Sequence, residues 1–300
     1  MTPDGVLLLD KPSGISSNAA LQRVRRIFGR VKAGHTGSLD PLASGLLPIC
    51  LGRATRFSGF GLDAAKGYRV TARLGARTDT GDAEGEIVER GPWETVTEDA
   101  LRQALNGFRG CIQQVPPMYS ALKQGGERLY RKARRGETVE RPPRPVEIFR
   151  LELTAFRPPE FSLEVDCSKG TYVRTLVEDV ARAAGSCAHV TVLRRFAVGP
   201  FRESDLQSLE VLEALAEQEG PGAVAARLLP PDALLGDLPG VFLPEAEAAR
   251  IQQGQPASVP TGGTQGMVRI YGPAGFLGVG RQEAGGRVLP RRMMAAPAGA

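Results

Sequence analysis

The chain has 300 residues, 42% of them hydrophobic and 24% charged, with a formal net charge of +5. That is the balance of a globular protein with more chain than one core usually organises, so a large domain and a smaller one are expected. No apolar run is long enough to span a bilayer, and the run VLLL near the N-terminus lacks a basic lead and is cut short by Asp10, which argues against a secretory signal and makes the cytoplasm the expected compartment.

Of the 38 basic residues 32 are arginine, whose planar guanidinium suits phosphates and stacks on bases, so nucleic acid is a candidate partner. The cysteines (Cys50, Cys111, Cys167, Cys187) never form a Cys-x-x-Cys pair, and there are only two histidines. Buried free thiols and metal-free chemistry are therefore expected.

Residues 5–9, GVLLL, read as a buried strand closed by the turn DKPSG. Ser16 or Ser17 can cap a helix with Leu21, Val24, Ile27 or Phe28, and Val31 on one face, and Arg23, Arg26 and Arg30 on the other. Next comes AGHTGSLDPLASG, residues 33–45. Asp40 there is either the N-cap of a helix opened by Pro41 or a nucleophilic or acid/base group on a turn; Gly45 and Pro48 leave room for about two helical turns. LLPICLGRATRF reads as a short buried element and a basic turn. In KGYRVTARL, Tyr68, Val70, Ala72 and Leu74 alternate with Arg69, Thr71 and Arg73, which puts Tyr68 on the apolar face of a strand. The acidic loop DTGDAEG leads into a second strand; it is no calcium loop, because Gly81 takes a ligand position and the closing Glu is missing.

Thr97, followed by Glu98 and Asp99, opens a helix through Leu101, Ala104, Leu105 and Phe108. The stretch around residues 123–144 is basic, Pro-flanked and aperiodic apart from a short helix over 127–135; it is a surface arm or a clamp on an anionic partner. VEIFRLELTAF and FSLEVDC are alternating strands. TYVRTLVEDVARAAG is a helix with Val173, Leu176, Val177, Val180 and Ala184 inward and Gly185 as C-cap, and HVTVLRRFAVGPF is another strand. Residues 202–237 are loosely helical with a break at EGPG; the tail beyond is a compact module of one short helix and strands such as GMVRIYG and FLGVGRQ, which should pack on the main body. Hairpins and helices out of strict βαβ alternation predict an α+β fold with a mixed, mostly antiparallel sheet flanked by helices.

No phosphate-loop or dinucleotide fingerprint and no G-x-S-x-G elbow is present, and neither histidine has an evident nucleophile to serve. Asp40, Tyr68 and Arg174 remain, each at the edge of a buried element beside a basic turn. By position alone core packing is the favoured reading of Tyr68, and an i,i+4 pair with Glu178 would explain Arg174, although Arg before Glu is the weaker order.

GVLLLDKPSGISSN, AGHTGSLDPLASGLLPICLGRATR, KGYRVTARLGARTDTGDAEG, VPPMYSALKQGGERLY, CSKGTYVRTL and AHVTVLRR, in that order, closely resemble the TruB family of tRNA pseudouridine synthases, over nearly the whole chain. The resemblance implies a pseudouridine synthase fold over 1–235 with an RNA-binding insertion near 123–144, a looser match to a PUA-like RNA-binding module over 241–292, and a frayed tail over 293–300. It implies conversion of uridine 55 in the tRNA T-loop to pseudouridine without cofactor or metal. Asp40 falls on the family's catalytic aspartate, and Tyr68 and Arg174 on its active-site tyrosine and arginine. The target base must be flipped out of its loop, His35 is suited to fill the vacated stack, and Lys11 to brace the site. Arg23, Arg26, Arg30, Lys123, Arg131, Lys132, Arg134 and Lys169 are the further expected RNA contacts, with the insertion mobile until RNA orders it. A monomer without an obligate protein partner is expected. The competing readings are a tRNA-folding chaperone in which modification is secondary, and a guide-dependent enzyme acting on ribosomal RNA.

Overall fold

The computed structural model describes residues 3–259 and 265–294. The chain enters through β1 (Gly5–Lys11), whose apolar run is buried on both faces. Leu7 and Leu9 face the core under the helices, while Val6 and Leu8 face a smaller cluster on the other side of the sheet, as the two-residue period of a strand requires. Helix α1 (Ser17–Ile27) follows, with Ser16 Oγ accepting from the Ala19 N–H at 3.1 Å, and it buries Ala20, Leu21 and Val24. It ends at Ile27, and Gly29 and Arg30 both turn to positive φ. Arg30 is therefore off the helix and does not extend its arginine face.

β2 (Ala33–His35), β3 (Ser44–Leu51), the one-and-a-half-turn α2 (Ser58–Asp63) and β4 (Lys66–Leu74) come next. β5 (Ala76–Thr78) and β6 (Ile87–Arg90) pair around the acidic loop, and α3 (Glu98–Asn106) is capped by Thr97, whose Oγ1 accepts from the Ala100 N–H at 3.1 Å. β7 (Gly110–Gln114) leads into the basic insertion. This has regular structure of its own: β8 (Lys123–Gln124) and β9 (Glu127–Arg128) form a ladder, and α4 (Leu129–Ala133) buries Leu129. β10 (Arg144–Arg157), β11 (Glu160–Cys167), α5 (Val173–Ala183), β12 (Ala188–Val198), β13 (Phe201–Arg202) and β14 (Gln207–Ser208) complete the sheet. Helices α6 (Leu209–Glu219) and α7 (Pro221–Ala225) are divided at Gly220, at a φ of +83°.

The main sheet runs β14-β1-β3-β12-β4-β11-β10-β7, with β2 added on β3 and β13 on β12. Only β1–β14 and β3–β12 are parallel among its described pairings. The mixed, mostly antiparallel sheet is thus as expected. α1, α3, α5 and α6 cover one face through Val24, Leu101, Leu105, Leu176, Val180 and Leu212. Three of the cysteines are buried, but Cys111 is exposed because β7 is an edge strand.

A second sheet, β15 (Gly240–Phe242), β17 (Gly266–Gly272), β18 (Gly275–Gln282), β19 (Arg287–Met293) and β16 (Ala257–Ser258) in that spatial order, carries α8 (Glu245–Gln252). It packs on the main body through Phe57, Leu235 and Val279, and Arg56 donates to the Met293 carbonyl at 2.9 Å. The tail is therefore not frayed from residue 293: Met293 pairs with Gly278, and the Met294 N–H donates to the Leu277 carbonyl at 2.7 Å. Residues 295–300 lie outside the described residues.

β3 and β12 touch where Arg195 pairs with Gly45, at a φ of +100°; a Cβ on Gly45 would stand 2.3 Å from the Arg195 carbonyl oxygen. Gly45→Ala should cost about 2–4 kcal/mol in urea unfolding, from backbone strain plus overpacking. A loss under about 1 kcal/mol would show that the strands separate freely.

Candidate active site

Asp40 lies between β2 and β3, and no helix follows it. The Ala43 N–H donates to the Asp40 carbonyl at 3.1 Å to close a turn, and β3 begins at Ser44. The N-cap reading is therefore wrong: pairing of β3 with β1 overrides the local Asp-Pro signal.

The turn is held from several sides. Lys11, 0% exposed, donates from Nζ to the carbonyls of Pro12 (2.8 Å), Ile15 (2.7 Å) and Pro41 (3.4 Å). The Gly14 N–H also reaches the Pro41 carbonyl, at 2.8 Å. Ser17 Oγ accepts from the Leu39 N–H at 2.7 Å and donates to the Leu39 carbonyl at 3.0 Å. Arg195, buried on β12, donates from Nε to the Leu46 carbonyl (2.8 Å) and from Nη2 to that of Gly37 (3.0 Å). Such backbone anchoring leaves the carboxylate free while its turn is fixed.

Arg174, in the first turn of α5, meets Asp40 Oδ2 with Nε at 2.9 Å; its side chain is 5% exposed and that of Asp40 is 41% exposed. Its Nη1 donates to the Thr80 carbonyl and stands 3.8 Å from Asp82 Oδ2, and its Nη2 donates to the Tyr119 carbonyl at 2.8 Å. The guanidinium is thus turned to Asp40 and the acidic loop, not to Glu178. Enclosure pushes the Asp40 carboxyl above its ordinary pKa, Arg174 pulls it back, Asp82 pushes it up and Lys11 pulls it down. Burial lowers the Lys11 and Lys66 ammonium groups to about 8.

Asp40, Tyr68 and Arg174 line one cavity of about 360 Å³, together with Lys66, Tyr172, Leu193 and Arg195. The pairing of Arg195 with Tyr68 across β12 and β4 brings the guanidinium beside the phenol, whose pKa burial raises. Tyr68 therefore keeps its proton at neutral pH.

The remaining expected residues divide. His35 sits five positions before Asp40 on β2, half-buried, with its Nδ1 buried and unpartnered among the described residues. Lys11 braces the turn from inside the protein and offers RNA no surface. Arg23 is committed within the fold by a two-bond pair with Glu213 of α6, Nε to Oε1 at 2.8 Å. Lys169 is exposed and pairs with Asp63 at 2.7 Å. Arg26, Arg30, Lys123, Arg131 and Arg134 are exposed, Lys132 is half-buried, and Arg134 covers the Tyr130 ring at 5.7 Å. Lys123, Arg128 and Arg131 line a groove on the insertion.

Sequence reasoning missed Lys66, Arg195, Tyr172 and Arg128. Lys66 lies two residues before Tyr68 and so on its face, which was a usable signal. The Arg195 signal is hidden by a bulge between Val190 and Val192 that breaks the alternation of β12. Among the described residues no group of three or more His, Cys, Asp or Glu side chains is placed to hold a metal ion.

Residues 25–173 match the family model of the TruB family pseudouridylate synthase N-terminal domain. Residues 174–236 match the tRNA pseudouridylate synthase B C-terminal domain, and residues 239–294 match the C-terminal domain of pseudouridine synthase II TruB. The tRNA pseudouridine synthase B of Nitrosococcus oceani is 52% identical over 296 residues, covering 98% of this chain and 96% of that protein. The protein of the same name from Pseudomonas aeruginosa is 51% identical over 97% of this chain and 95% of its own. Among solved structures, a Cbf5–Nop10–Gar1 complex contains a chain similar at a TM-score of 0.74 and 26% identity, over 97% of this chain and 85% of that one. A chain of an H/ACA ribonucleoprotein bound to a substrate RNA containing 2′-deoxyuridine has the same fold at a TM-score of 0.75 and 24% identity, over 98% of this chain and 86% of its own.

Behind Arg174 on α5, burial raises Glu178 to about 7, opposed by Arg77, Arg182 and Arg174. Because the folded pKa is raised, the folded state binds this proton more tightly, and stability is lost as pH rises from about 4.5 to about 7. Glu178→Gln should raise Tm by roughly 2–4 °C at pH 8 and flatten its pH dependence between pH 5 and 8. An unchanged Tm profile would contradict the burial assignment.

Proposed function

Since the chain belongs to the TruB family of pseudouridylate synthases, we propose that it converts uridine 55 in the T-loop of tRNA to pseudouridine, with Asp40 as the catalytic carboxylate. The observation that carries this reading is the Asp40–Arg174 ion pair opening into a cavity large enough for a nucleoside. The curated relatives at about 50% identity carry the name tRNA pseudouridine synthase B, which supports tRNA as the substrate.

The reaction is an isomerisation: the C1′–N1 bond breaks, the uracil rotates, a C1′–C5 bond forms, C5 loses its proton and N1 gains one. A carboxylate serves such a step only when ionised. Arg174 supplies the opposite charge at contact distance, and the solvent-facing part of the side chain limits the cost of that charge. Tyr68 offers a ring face to the flipped base and a protonated hydroxyl held beside Arg195. His35, on the strand leading into the turn, replaces the flipped base in its stack. Arg26, Arg30, the insertion's Lys123, Arg131, Lys132 and Arg134, and Lys169 hold the phosphate backbone, with the C-terminal module as a second RNA contact.

Tritium release from unmodified tRNA labelled at uridine C5 tests the proposal. Wild-type protein should release tritium, and Asp40→Asn should cut the rate roughly 10³-fold or more while still binding tRNA. No release by wild-type protein with tRNA bound would overturn the reaction. Undiminished release by Asp40→Asn would overturn the role of Asp40. A protein that acts only as a folding chaperone would refold tRNA equally well in both forms and release nothing.

A further inference from the structure

Helix α5 carries Arg174, yet its N-terminus has no cap of the usual kind. Tyr172 precedes the helix without a capping side chain, and its first turn has no acidic residue. Gln114, at the end of β7 and 2% exposed, fills that role from another part of the chain. Its Oε1 accepts from the Tyr172 N–H at 2.8 Å and its Nε2 donates to the Tyr172 carbonyl at 3.0 Å. The amide orientation follows from this match, since the reverse would set donor against donor and acceptor against acceptor. Two bonds from one planar amide to the N–H and C=O of one residue fix both distance and direction.

Gln114 is also the neck of the basic insertion. The chain leaves the sheet there and returns at Arg144, its pairing partner. Within a few residues the insertion's root touches α5 once more: the Tyr119 carbonyl accepts from Arg174 Nη2 at 2.8 Å. Residues 172 and 174 are thus gripped by residues 114 and 119, immediately before the segment that presents Lys123, Arg128 and Arg131.

We infer that Gln114 is a positioning residue for the reaction, holding the first turn of α5 so that Arg174 meets Asp40 and tying that contact to the root of the RNA-facing insertion. This rests on the reading of Asp40 and Arg174 as reacting machinery. Gln114 does not itself line the cavity, and it acts through the backbone N–H and C=O of Tyr172, which does. Without it the root can shift against α5, and the guanidinium moves off the carboxylate. The charged groups facing Asp40 are then Lys11 and Asp82, with Arg174 displaced.

The test compares wild type, Gln114→Met, Gln114→Glu and Arg174→Lys in tritium release, with kcat, KM for tRNA and the acid limb of kcat measured on full-length folded protein. Gln114→Met keeps the side-chain length but makes neither bond. It should lower kcat roughly 10- to 100-fold with KM unchanged, as a misplacement near 1 Å does, and move the acid limb to higher pH. Gln114→Glu can still bond the Tyr172 N–H, and when protonated it can also donate to the carbonyl. Its kcat should approach wild type at low pH and fall away as pH rises and the carboxyl ionises against the carbonyl. A merely structural role would lower the active fraction and leave both pH profiles in place. If Arg174→Lys shifts the acid limb and the Gln114 variants do not, the inference about Gln114 is wrong while the reading of the site stands. If neither substitution shifts it, the Asp40–Arg174 reading fails with it.

Discussion

The contact between Arg174 and Asp40 is where the architecture of this protein converges. A guanidinium as enclosed as that of Arg174 must be partnered, since an uncompensated buried charge costs about 3–5 kcal/mol. Its partners come from three distant stretches: the turn between β2 and β3, the acidic loop after β5, and the root of the insertion after β7. Satisfying one side chain therefore brings these segments to one place. The same arrangement leaves a carboxylate facing a cavity with its countercharge behind it.

Around this contact, buried cations that have no carboxylate partner among the described residues hold backbone carbonyls. Lys11 and Arg195 fasten the turn that carries Asp40, and Lys66 donates to the Leu62 and Ala64 carbonyls at the end of α2, at 2.7 and 2.6 Å. Each bond gives a backbone carbonyl a charged donor, and each places positive charge near the site. The parallel pairing of β3 with β12 at Gly45 serves the same end, because it sets Arg195 against both Tyr68 and the Gly37 turn. Packing and electrostatics are thus set by the same residues.

What the sequence made legible was mostly local. Ser16 and Thr97 cap the helices they precede, Gly220 breaks the helical stretch, and Tyr68 falls on the inward face of its strand, because each signal spans only a few residues. Asp40, Tyr68 and Arg174 were found through ordered motifs, and the fold brings them together. Local reasoning failed where distant pairing decided the outcome. Asp-Pro is a sound helix start, yet strand pairing claims the residues after it. Arg23 looks like a free surface arginine until α6 supplies Glu213 from 190 residues away. Arg195 becomes a site residue only because β12 lies beside β4, and Gln114 only because β7 ends beside α5.

The central claim is that Arg174 governs the charge of Asp40. Titration of the Asp40 carboxyl carbon by ¹³C NMR, in wild-type protein and in Arg174→Met, tests it most directly. Loss of an opposite charge at contact distance should raise the Asp40 pKa by about 1 unit or more, with the acid limb of tritium release moving by the same amount. Superimposable titration curves in the two proteins would contradict the account.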